Sequence, residues 1–451
     1  KLISGVSSSG SAIAVSCGLA SFALGTDTAG SGRVPAAFND IVGFKPTRGL
    51  ISCRGVVPAC KSIDCLSIFT NNVSDAAMVA NICAIFDARD TYARRNQYNN
   101  DIRNFGTYTG KVRLGFIDPD WVSSQGSSSY AAAYRESLSQ LEKSGIELFK
   151  FDFDVLFRIG QELYNGPWVA ERSLTFGDFL DRGHKDIIPV TKQIIKAGQS
   201  KTAEEFFAAQ YRVKSLKRSV MAKMNEIDAL ITPTVPRNFT LEEVQQNPIQ
   251  TNNTLGIFTN HMNIMDFCGI AIPAKRTREG SPFGISLIAD RMHDSKLLSL
   301  ATGVERILSG DQRVTPLKEY SAQQTIELVV CGAHLSGMPL NHQLVNLGAE
   351  LIEVTKTADE YKLYALAGEG MERPGLVHDM EKGSMIDVEI WRMPISNFGI
   401  FITGIPRPLG IGKVKLKNGQ VKPGFICEGS GIEGATAVSY THLTLPTNRE
   451  V

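Results

Sequence analysis

The sequence predicts an α/β domain followed by a smaller α+β or barrel-like domain, and three observations support this. Strand-like segments at 112–117 and 147–151 flank a helical segment at 131–144, which is the alternation of an α/β domain. An amphipathic helix at 202–227 leads into a short apolar strand, and residues 256–300 repeat the cycle. Short β-rich segments then replace this alternation.

The length of 451 residues indicates two domains or more. A polar stretch predicts a linker at 311–325, which places the first domain at 1–310 and the second at 326–436. The last residues, 437–451, resemble nothing expected of such a domain and are predicted to be a non-native tail. The strands expected in the second domain are 327–331, 362–367, 384–392 and 399–405.

Composition excludes several classes of function. With 47 Lys plus Arg against 46 Asp plus Glu, no strong field exists to bind nucleic acid. The apolar run at 12–25 is roughly 14 residues long and too short to span a bilayer, so no membrane partner is expected. The eight cysteines are scattered without a CxxC pair, which favours reduced thiols in a cytoplasmic protein and no metal site.

Two glycine-rich turns that bear serines lie within the first 33 residues. Ser7 and Ser31 are 24 positions apart, and the predicted helix between them can bring both turns to one of its ends. A serine hydroxyl needs a neighbouring base, and successive N–H groups of a tight turn can form an oxyanion hole. Asp27 and Arg33 flank the second turn with opposite charges and can pin it with a salt bridge.

Other interpretations of these turns remain open. A Gly/Ser loop before a helix can cradle a phosphate, although neither GxxxxGK[ST] nor GxGxxG after a strand is present. Residues 4–11 can also be a flexible linker. A Ser-His-Asp triad assembles in space, so distant histidines do not exclude it, but no Gly-x-Ser-x-Gly elbow follows a strand. An arrangement of two serines and a lysine fits better.

Five segments together resemble the amidase signature family, whose motif is long and has particular spacing. The resemblance implies the α/β amidase signature fold, a mixed central sheet covered by helices, over residues 1–310. The segments are 5–11, 25–38, 42–47, 231–234 and 282–287.

The same resemblance implies roles for individual residues. Ser31 is the nucleophile, and Ser7 is the bridging serine, usually on a cis peptide, that passes protons between Ser31 and a lysine. Asp27 and Arg33 brace the turn. The backbone N–H groups implied to form the oxyanion hole belong to Thr28, Ala29, Gly30 and Ser31.

Two departures from the family pattern affect the prediction. Val6 stands where the family commonly has glycine. The family's lysine lies several dozen residues before the bridging serine, whereas this chain starts six residues before Ser7, and Lys45 matches a structural lysine of the motif. The expectation is an N-terminally truncated chain that lacks its base and shows no appreciable amide hydrolysis alone.

A segment at 163–172 bears on the substrate. Tyr164 and Arg172 are eight residues apart, roughly two helical turns, and so can share a face. Arginine binds a carboxylate in bidentate fashion, as a short anionic amide requires. Alternatively, Tyr164 and Trp168 are core aromatics and Arg172 a solvated charge. The segment is similar to the stretch of allophanate hydrolases in which the tyrosine and arginine hold the substrate.

The second domain resembles the same group. Residues 331–341 are similar to the start of the allophanate hydrolase C-terminal domain, which is related to γ-glutamyl cyclotransferase-like folds. This implies hydrolysis of allophanate (urea-1-carboxylate) through an acyl-enzyme, giving ammonia and N-carboxycarbamate, which loses carbon dioxide. His334 is the candidate for assisting decarboxylation, and a purely structural histidine is the alternative. No metal or organic cofactor is implied.

The resemblance also implies partners. They are a biotin-dependent urea carboxylase, fused or separate, and a second copy of the chain in a homodimer. Two alternatives stay open. One is another member of the amidase signature family, either a general amidase or a component of an amidotransferase. The other is an inactive chain whose second domain is a docking or dimerisation module.

Overall fold

The computed structural model describes residues 1–97, 100–101, 111–182, 187–310, 325–366 and 373–438. These residues form two compact units that divide between 310 and 325. Apart from Thr325, the predicted linker lies outside the described residues.

A mixed eight-stranded sheet is the centre of the first unit, as predicted. Its strands are β1 (Phe22–Thr26), β2 (Val42–Lys45), β3 (Leu66–Thr70), β4 (Arg113–Phe116), β5 (Glu147–Lys150), β6 (Ala229–Pro233), β7 (Cys268–Ala274) and β8 (Phe283–Ala289). Their order is β1-β3-β2-β7-β8-β6-β4-β5. Strand β4 pairs in parallel with β5 and β6, and the other neighbours are antiparallel.

Helices surround this sheet. They are α1 (Ser9–Ser16), α2 (Val34–Phe38), α3 (Val73–Cys83), α4 (Pro119–Gln125), α5 (Ser128–Lys143), α6 (Asp154–Asn165), α7 (Val169–Asp181), α8 (Pro189–Gln199), α9 (Ala203–Met224), α10 (Leu241–Gln246), α11 (Pro248–Leu255), α12 (His261–Met265) and α13 (Asp294–Ser309). The predicted β4-α5-β5 unit is present. Among the described helices, none combines the length and the apolarity that a bilayer crossing requires.

Local sequence explains the elements near the two serine turns. Helix α2 has proline in its first turn, where the missing N–H costs nothing, and all five of its residues are buried. Strand β8 is buried along its whole length, which suits its continuous apolar sequence. Helix α9 begins after a capping box in which Thr202 and Glu205 satisfy each other's backbone N–H groups.

The second unit is rich in β-structure. Its strands are β9 (Thr325–Val330), β10 (Glu350–Lys356), β11 (Tyr361–Leu366), β12 (Arg373–His378), β13 (Asp387–Pro394), β14 (Leu409–Lys415), β15 (Val421–Cys427) and β16 (Thr436–Val438). They form a five-stranded sheet, β10-β13-β9-β15-β14, and a three-stranded sheet, β12-β11-β16. The helices are α14 (Asn341–Asn346), α15 (Ile395–Thr403) and the 3₁₀ helices Gly332–His334 and Gly429–Ile432.

One prediction for this unit differs from the structure. The strand expected at 399–405 is wrong, because most of that segment belongs to α15. Phe398 and Phe401, three residues apart, pack on the core while Ile400 is 60% exposed, which is helical spacing that a short apolar run does not reveal. The domain end at 436 stays a prediction; β16 spans this position, and its Ala437 and Val438 pair with β11. Residues 439–451 lie outside the described residues.

Glu305 on α13 makes the stability of the first unit depend on pH. Its Oε1 accepts a hydrogen bond from the Val73 N–H at 3.0 Å, whereas its Oε2 is buried without a partner among the described residues. Burial raises the pKa of Glu305 to about 7, with a further increase from Asp75, while Val73 and Arg306 oppose it. The folded state therefore binds more protons than the unfolded state between the two pKa values.

We expect the unfolding free energy to fall as the pH rises from 5 to 8, by about 1–2 kcal/mol from this group. A Glu305→Gln variant removes that part of the slope and is more stable than the parent at pH 8. Thermal melts of both proteins at each pH measure the effect. Parallel profiles for parent and variant would contradict it.

Candidate active site

The two serines of the glycine-rich turns meet. The Ser7 hydroxyl donates to Ser31 Oγ at 2.5 Å. The first turn is fixed locally, since Ser8 Oγ donates to the Thr26 carbonyl of β1 at 3.0 Å and the Ser9 hydroxyl donates to the Val6 carbonyl. Ser7 is exposed and Ser31 is half-buried.

The cis peptide at Ser7 that the resemblance implies is not present. In the described residues the Arg407–Pro408 bond is cis, and the Val6–Ser7 bond is trans. A cis bond before a residue other than proline costs about 3 kcal/mol, so it occurs only where its surroundings impose it.

A buried ion pair organises the second turn, as the flanking charges predicted. Arg33 Nε lies 2.8 Å from Asp27 Oδ2, Arg33 Nη2 lies 2.9 Å from Asp27 Oδ1, and both side chains are fully buried. Burial acts to raise the pKa of Asp27, but Arg33 and Lys45 outweigh it and hold that pKa below its usual value. The same carboxylate accepts the N–H groups of Gly30 and Gly32 at 2.8 and 3.2 Å.

The geometry corrects the predicted oxyanion hole at one position. The Gly30 N–H points to Asp27 and is not available to a ligand. The N–H groups of Thr28, Ala29 and Ser31 donate to no acceptor in the described part of the chain. Gly30 has φ 126°, and a Cβ there would lie 2.4 Å from Thr259 Oγ1, so this position requires glycine.

Residues far along the chain support the second turn, and the sequence reasoning missed them. Thr259 Oγ1 donates to the Ala29 carbonyl at 2.6 Å, and Asn263 Nδ2 donates to the carbonyls of Asp27 at 2.6 Å and Ile63 at 2.8 Å. The asparagines and the threonine at positions 259–263, a few residues before strand β7, were the available signal. With their carbonyls held, these peptide units keep their N–H groups in fixed directions.

No histidine in the described stretches hydrogen-bonds either serine hydroxyl. His261 is fully buried against Phe153 and Phe267, and neither of its ring nitrogens has a partner there. Burial, reinforced by Arg33, lowers the pKa of His261 to about 3, so the ring is neutral. His184 and His442 lie outside the described residues. The geometry therefore favours the two-serine arrangement over a Ser-His-Asp triad.

Lys45 is a structural residue, as the motif implied. Its buried ammonium donates to the carbonyls of Phe267 at 2.7 Å and Pro46 at 3.1 Å. Within the described ranges, no lysine hydrogen-bonds Ser7 or Ser31.

The segment Ala59–Asp64, here called the 59–64 loop, lies between the second turn and helix α7. Asp64 Oδ1 accepts from Thr28 Oγ1 at 2.5 Å and from the Cys60 N–H at 3.1 Å, and Oδ2 accepts from the Ala59 N–H at 2.8 Å. At the other side, both the N–H and the hydroxyl of Ser62 donate to Glu171, each at 2.6 Å.

Tyr164 and Arg172 meet, but not on one helix as predicted. Helix α6 ends at Asn165 and α7 begins at Val169, because Gly166 is extended and Pro167 cannot continue the helix. The turn between them places the Arg172 guanidinium over the Tyr164 ring, 4.8 Å from its centroid. Trp168 is a core aromatic, only 8% exposed, as the alternative interpretation held.

The Arg172 side chain is half-buried and has no acidic partner in the described part of the chain. Its Nε is inaccessible and makes no hydrogen bond there. Burial opposes its charge, but the neighbouring Tyr164 hydroxyl and Cys60 sulfur raise its pKa, so the group stays cationic. An anion is the ligand that such a group favours.

His334 lines a separate cavity in the second unit. It ends the 3₁₀ helix Gly332–His334, and its Nε2 lies 3.0 Å from Gln343 Oε1. Its ring stacks on Phe425 at 4.9 Å and meets the edge of Phe401 at 5.5 Å. The cavity is mostly apolar, with His334 and Gln343 as its polar side chains. No group of three or more metal-binding side chains occurs in the described residues.

Comparison with known families agrees with the two units. A family model for amidases matches residues 1–298. The chain belongs to the amidase family. A second family model, the allophanate hydrolase C-terminal domain, matches residues 326–442 of this amidase family member.

Two individual relatives match along nearly the whole chain. The chain is 36% identical to urea amidolyase from Saccharomyces cerevisiae, over 97% of the chain and 25% of that protein. The solved structure of allophanate hydrolase from Kluyveromyces lactis matches with a TM-score of 0.67 and 35% identity, over 97% of this chain and 74% of that one.

A third relative matches about two thirds of the chain. It is a component of the glutamyl-tRNA(Gln) amidotransferase of Sulfurimonas denitrificans and is 28% identical, over 67% of the chain and 72% of that protein. By contrast, the chain spans about a quarter of the length of the curated urea amidolyases that it matches.

Proposed function

We propose that this chain hydrolyses allophanate, and the Arg172 guanidinium, which has no acidic partner in the described residues, is the observation that carries the proposal. Withdrawing a cation from water without a counter-ion is costly, and a substrate carboxylate supplies both the charge and the acceptors that the fork of arginine prefers. The Ser7–Ser31 pair lies in the same unit. The name of the matched K. lactis allophanate hydrolase and the matched C-terminal domain model support this choice among amides.

The proposed chemistry follows from the three parts of the site. Ser31 Oγ attacks the terminal amide carbonyl of allophanate and transfers its proton to Ser7, since either hydroxyl can rotate to donate. The developing oxyanion faces the N–H groups of Thr28, Ala29 and Ser31. The C–N bond breaks, ammonia leaves with the proton, and water then releases N-carboxycarbamate from the acyl-enzyme. This dicarboxylate takes up a proton and loses carbon dioxide to give carbamate, which takes up a second proton and breaks at its C–N bond into ammonia and carbon dioxide.

The base in this proposal is a lysine, as the family resemblance implies. Asp27 and Arg33 act as the brace of the nucleophile turn.

The proposal predicts selective loss in an Arg172→Ala variant. We expect kcat/KM for allophanate to fall about 100-fold, because a charged hydrogen-bonded pair contributes about 3 kcal/mol. Turnover of propionamide, which has no carboxylate, changes by less than about threefold, since the guanidinium contributes nothing to a neutral ligand. Ammonia release measures both reactions.

Arg182→Ala is the matched control, because Arg182 is an exposed arginine that caps the same helix. Equal losses for allophanate and propionamide would reject the carboxylate clamp and favour a general amidase or an amidotransferase component.

We further infer that His334 assists the decarboxylation step in the second unit. A mostly apolar cavity favours loss of charge from a dicarboxylate, and a histidine beside Gln343 can supply the proton. His334→Ala should slow carbon dioxide release while leaving the first ammonia unchanged. If both rates stay the same, the unit is a docking or dimerisation module. Its relation to γ-glutamyl cyclotransferase-like folds stays a prediction.

The relatives also suggest a partner. Urea amidolyases match along nearly the whole of this chain, so we propose that it works with a urea carboxylase that forms allophanate, fused or separate. The homodimer stays a prediction.

A further inference from the structure

Asp64 connects the second turn, which carries Ser31, to the 59–64 loop. Its side chain is 7% exposed, and its Oδ1 accepts a hydrogen bond from the Thr28 hydroxyl, with 2.5 Å between the two oxygens. Thr28 and Ala29 carry two of the three free N–H groups that face a ligand in the proposed mechanism. Because Thr28 is itself 7% exposed, its side chain has little room to take another position. The Asp64 carboxylate therefore holds one end of the second turn.

The Asp64 carboxylate also holds the part of the 59–64 loop that contacts Arg172. Asp64 accepts the N–H groups of both Ala59 and Cys60, at 2.8 and 3.1 Å. The Cys60 side chain is 1% exposed, and its sulfur lies 3.5 Å from the Trp168 carbonyl and beside the Arg172 guanidinium. Burial raises the pKa of Cys60 to about 11, so a neutral thiol fills this position.

Further bonds leave the loop little freedom to move. Glu171, the residue before Arg172, accepts two hydrogen bonds from Ser62. The Ile63 carbonyl shares the Asn263 amide with the Asp27 carbonyl of the nucleophile turn. The loop is thus bonded to the turn at one end and to the start of α7 at the other.

We propose that Asp64 is a positioning residue that fixes the separation between the second turn, which carries Ser31, and the Arg172 guanidinium. This separation selects substrates by the distance between the amide carbonyl carbon and the carboxylate of the substrate. This rests on the proposed function. A misplacement of about 1 Å can cost about 100-fold in rate, because proximity supplies much of the acceleration. Asp64 touches no reacting atom and acts through Thr28 and Cys60.

A double-mutant cycle tests the proposal. Asp64→Asn should lower kcat/KM for allophanate about 30-fold in the parent but threefold or less in the Arg172→Ala background. The two losses are not additive, because Asp64 acts by positioning Arg172 and has little left to position once Arg172 is removed. Asp90→Asn is the matched control, because Asp90 accepts from Ser52 and Cys53 on the neighbouring segment. Equal losses in both backgrounds overturn the proposal.

Two further measurements separate positioning from loss of folding. Asp64→Asn should raise the turnover of N-carbamoylglycine, one methylene longer than allophanate, relative to allophanate. Thr28→Val should lower kcat about tenfold, and Thr28→Ser should lower it less than Thr28→Val does, because the serine hydroxyl still reaches Asp64. An unchanged substrate ratio, or equal effects of the two Thr28 variants, overturns the proposal. Arg172→Ala without effect would instead remove the proposed function.

Discussion

Replacing Ser31 with alanine should lower kcat for ammonia release from allophanate by about 10⁴-fold or more, since nucleophile loss in serine hydrolases has effects of that order. The Ser7 hydroxyl, 2.5 Å away, then has no oxygen to activate. Ser7→Ala should lower kcat about 10²- to 10⁴-fold, the range of a general acid–base group. Ammonia release measures both.

Ser11→Ala is the matched control for these variants. Its hydroxyl donates to the Leu24 carbonyl at an exposed position in the same serine-rich segment. For Ser11→Ala we expect activity within twofold of the parent. The melting temperatures of all three variants should equal that of the parent. Retention of more than a hundredth of the parent rate by Ser31→Ala would assign the nucleophile to another residue.

The largest effect on stability is expected from Arg33→Met. This change leaves the Asp27 carboxylate fully buried without its counter-ion, and breaking a buried pair in this way costs about 3–5 kcal/mol. The melting temperature of the first unit should fall by about 10 °C, and activity should fall because the Asp27 bonds also hold Gly30 and Gly32. Calorimetry measures the shift.

Two controls make this prediction specific to the buried charge. A second change, Asp27→Asn, in the Arg33→Met background should restore part of the stability because the unpaired charge is removed. Arg135→Met breaks the exposed pair with Asp120, 2.9 Å apart, and should cost less than about 1 kcal/mol. A small loss for Arg33→Met, similar to that for Arg135→Met, would show that Asp27 is solvated or protonated.

Sequence patterns predicted the α/β alternation well where an element's own residues decide its state. Helix α5 and strands β4 and β5 follow from local periodicity, and the mixed sheet agrees with the family resemblance. The prediction of a strand in the apolar segment of α15 is wrong, because a strand and a helix bury such a short run equally well. The spacing of Phe398 and Phe401, which both pack on the core, distinguishes the two.

In the site, the Ser7–Ser31 pair and the Asp27–Arg33 brace could be predicted from the residues alone, because the partners lie in two turns joined by one helix and one strand. Which N–H groups stay free, and what holds the second turn, depend on residues that are distant in the chain. Thr259 reaches Ala29 across 230 positions of sequence, and Asp64 reaches Thr28 across 36. Such contacts depend on how the strands and helices pack, so no local pattern of residues encodes them.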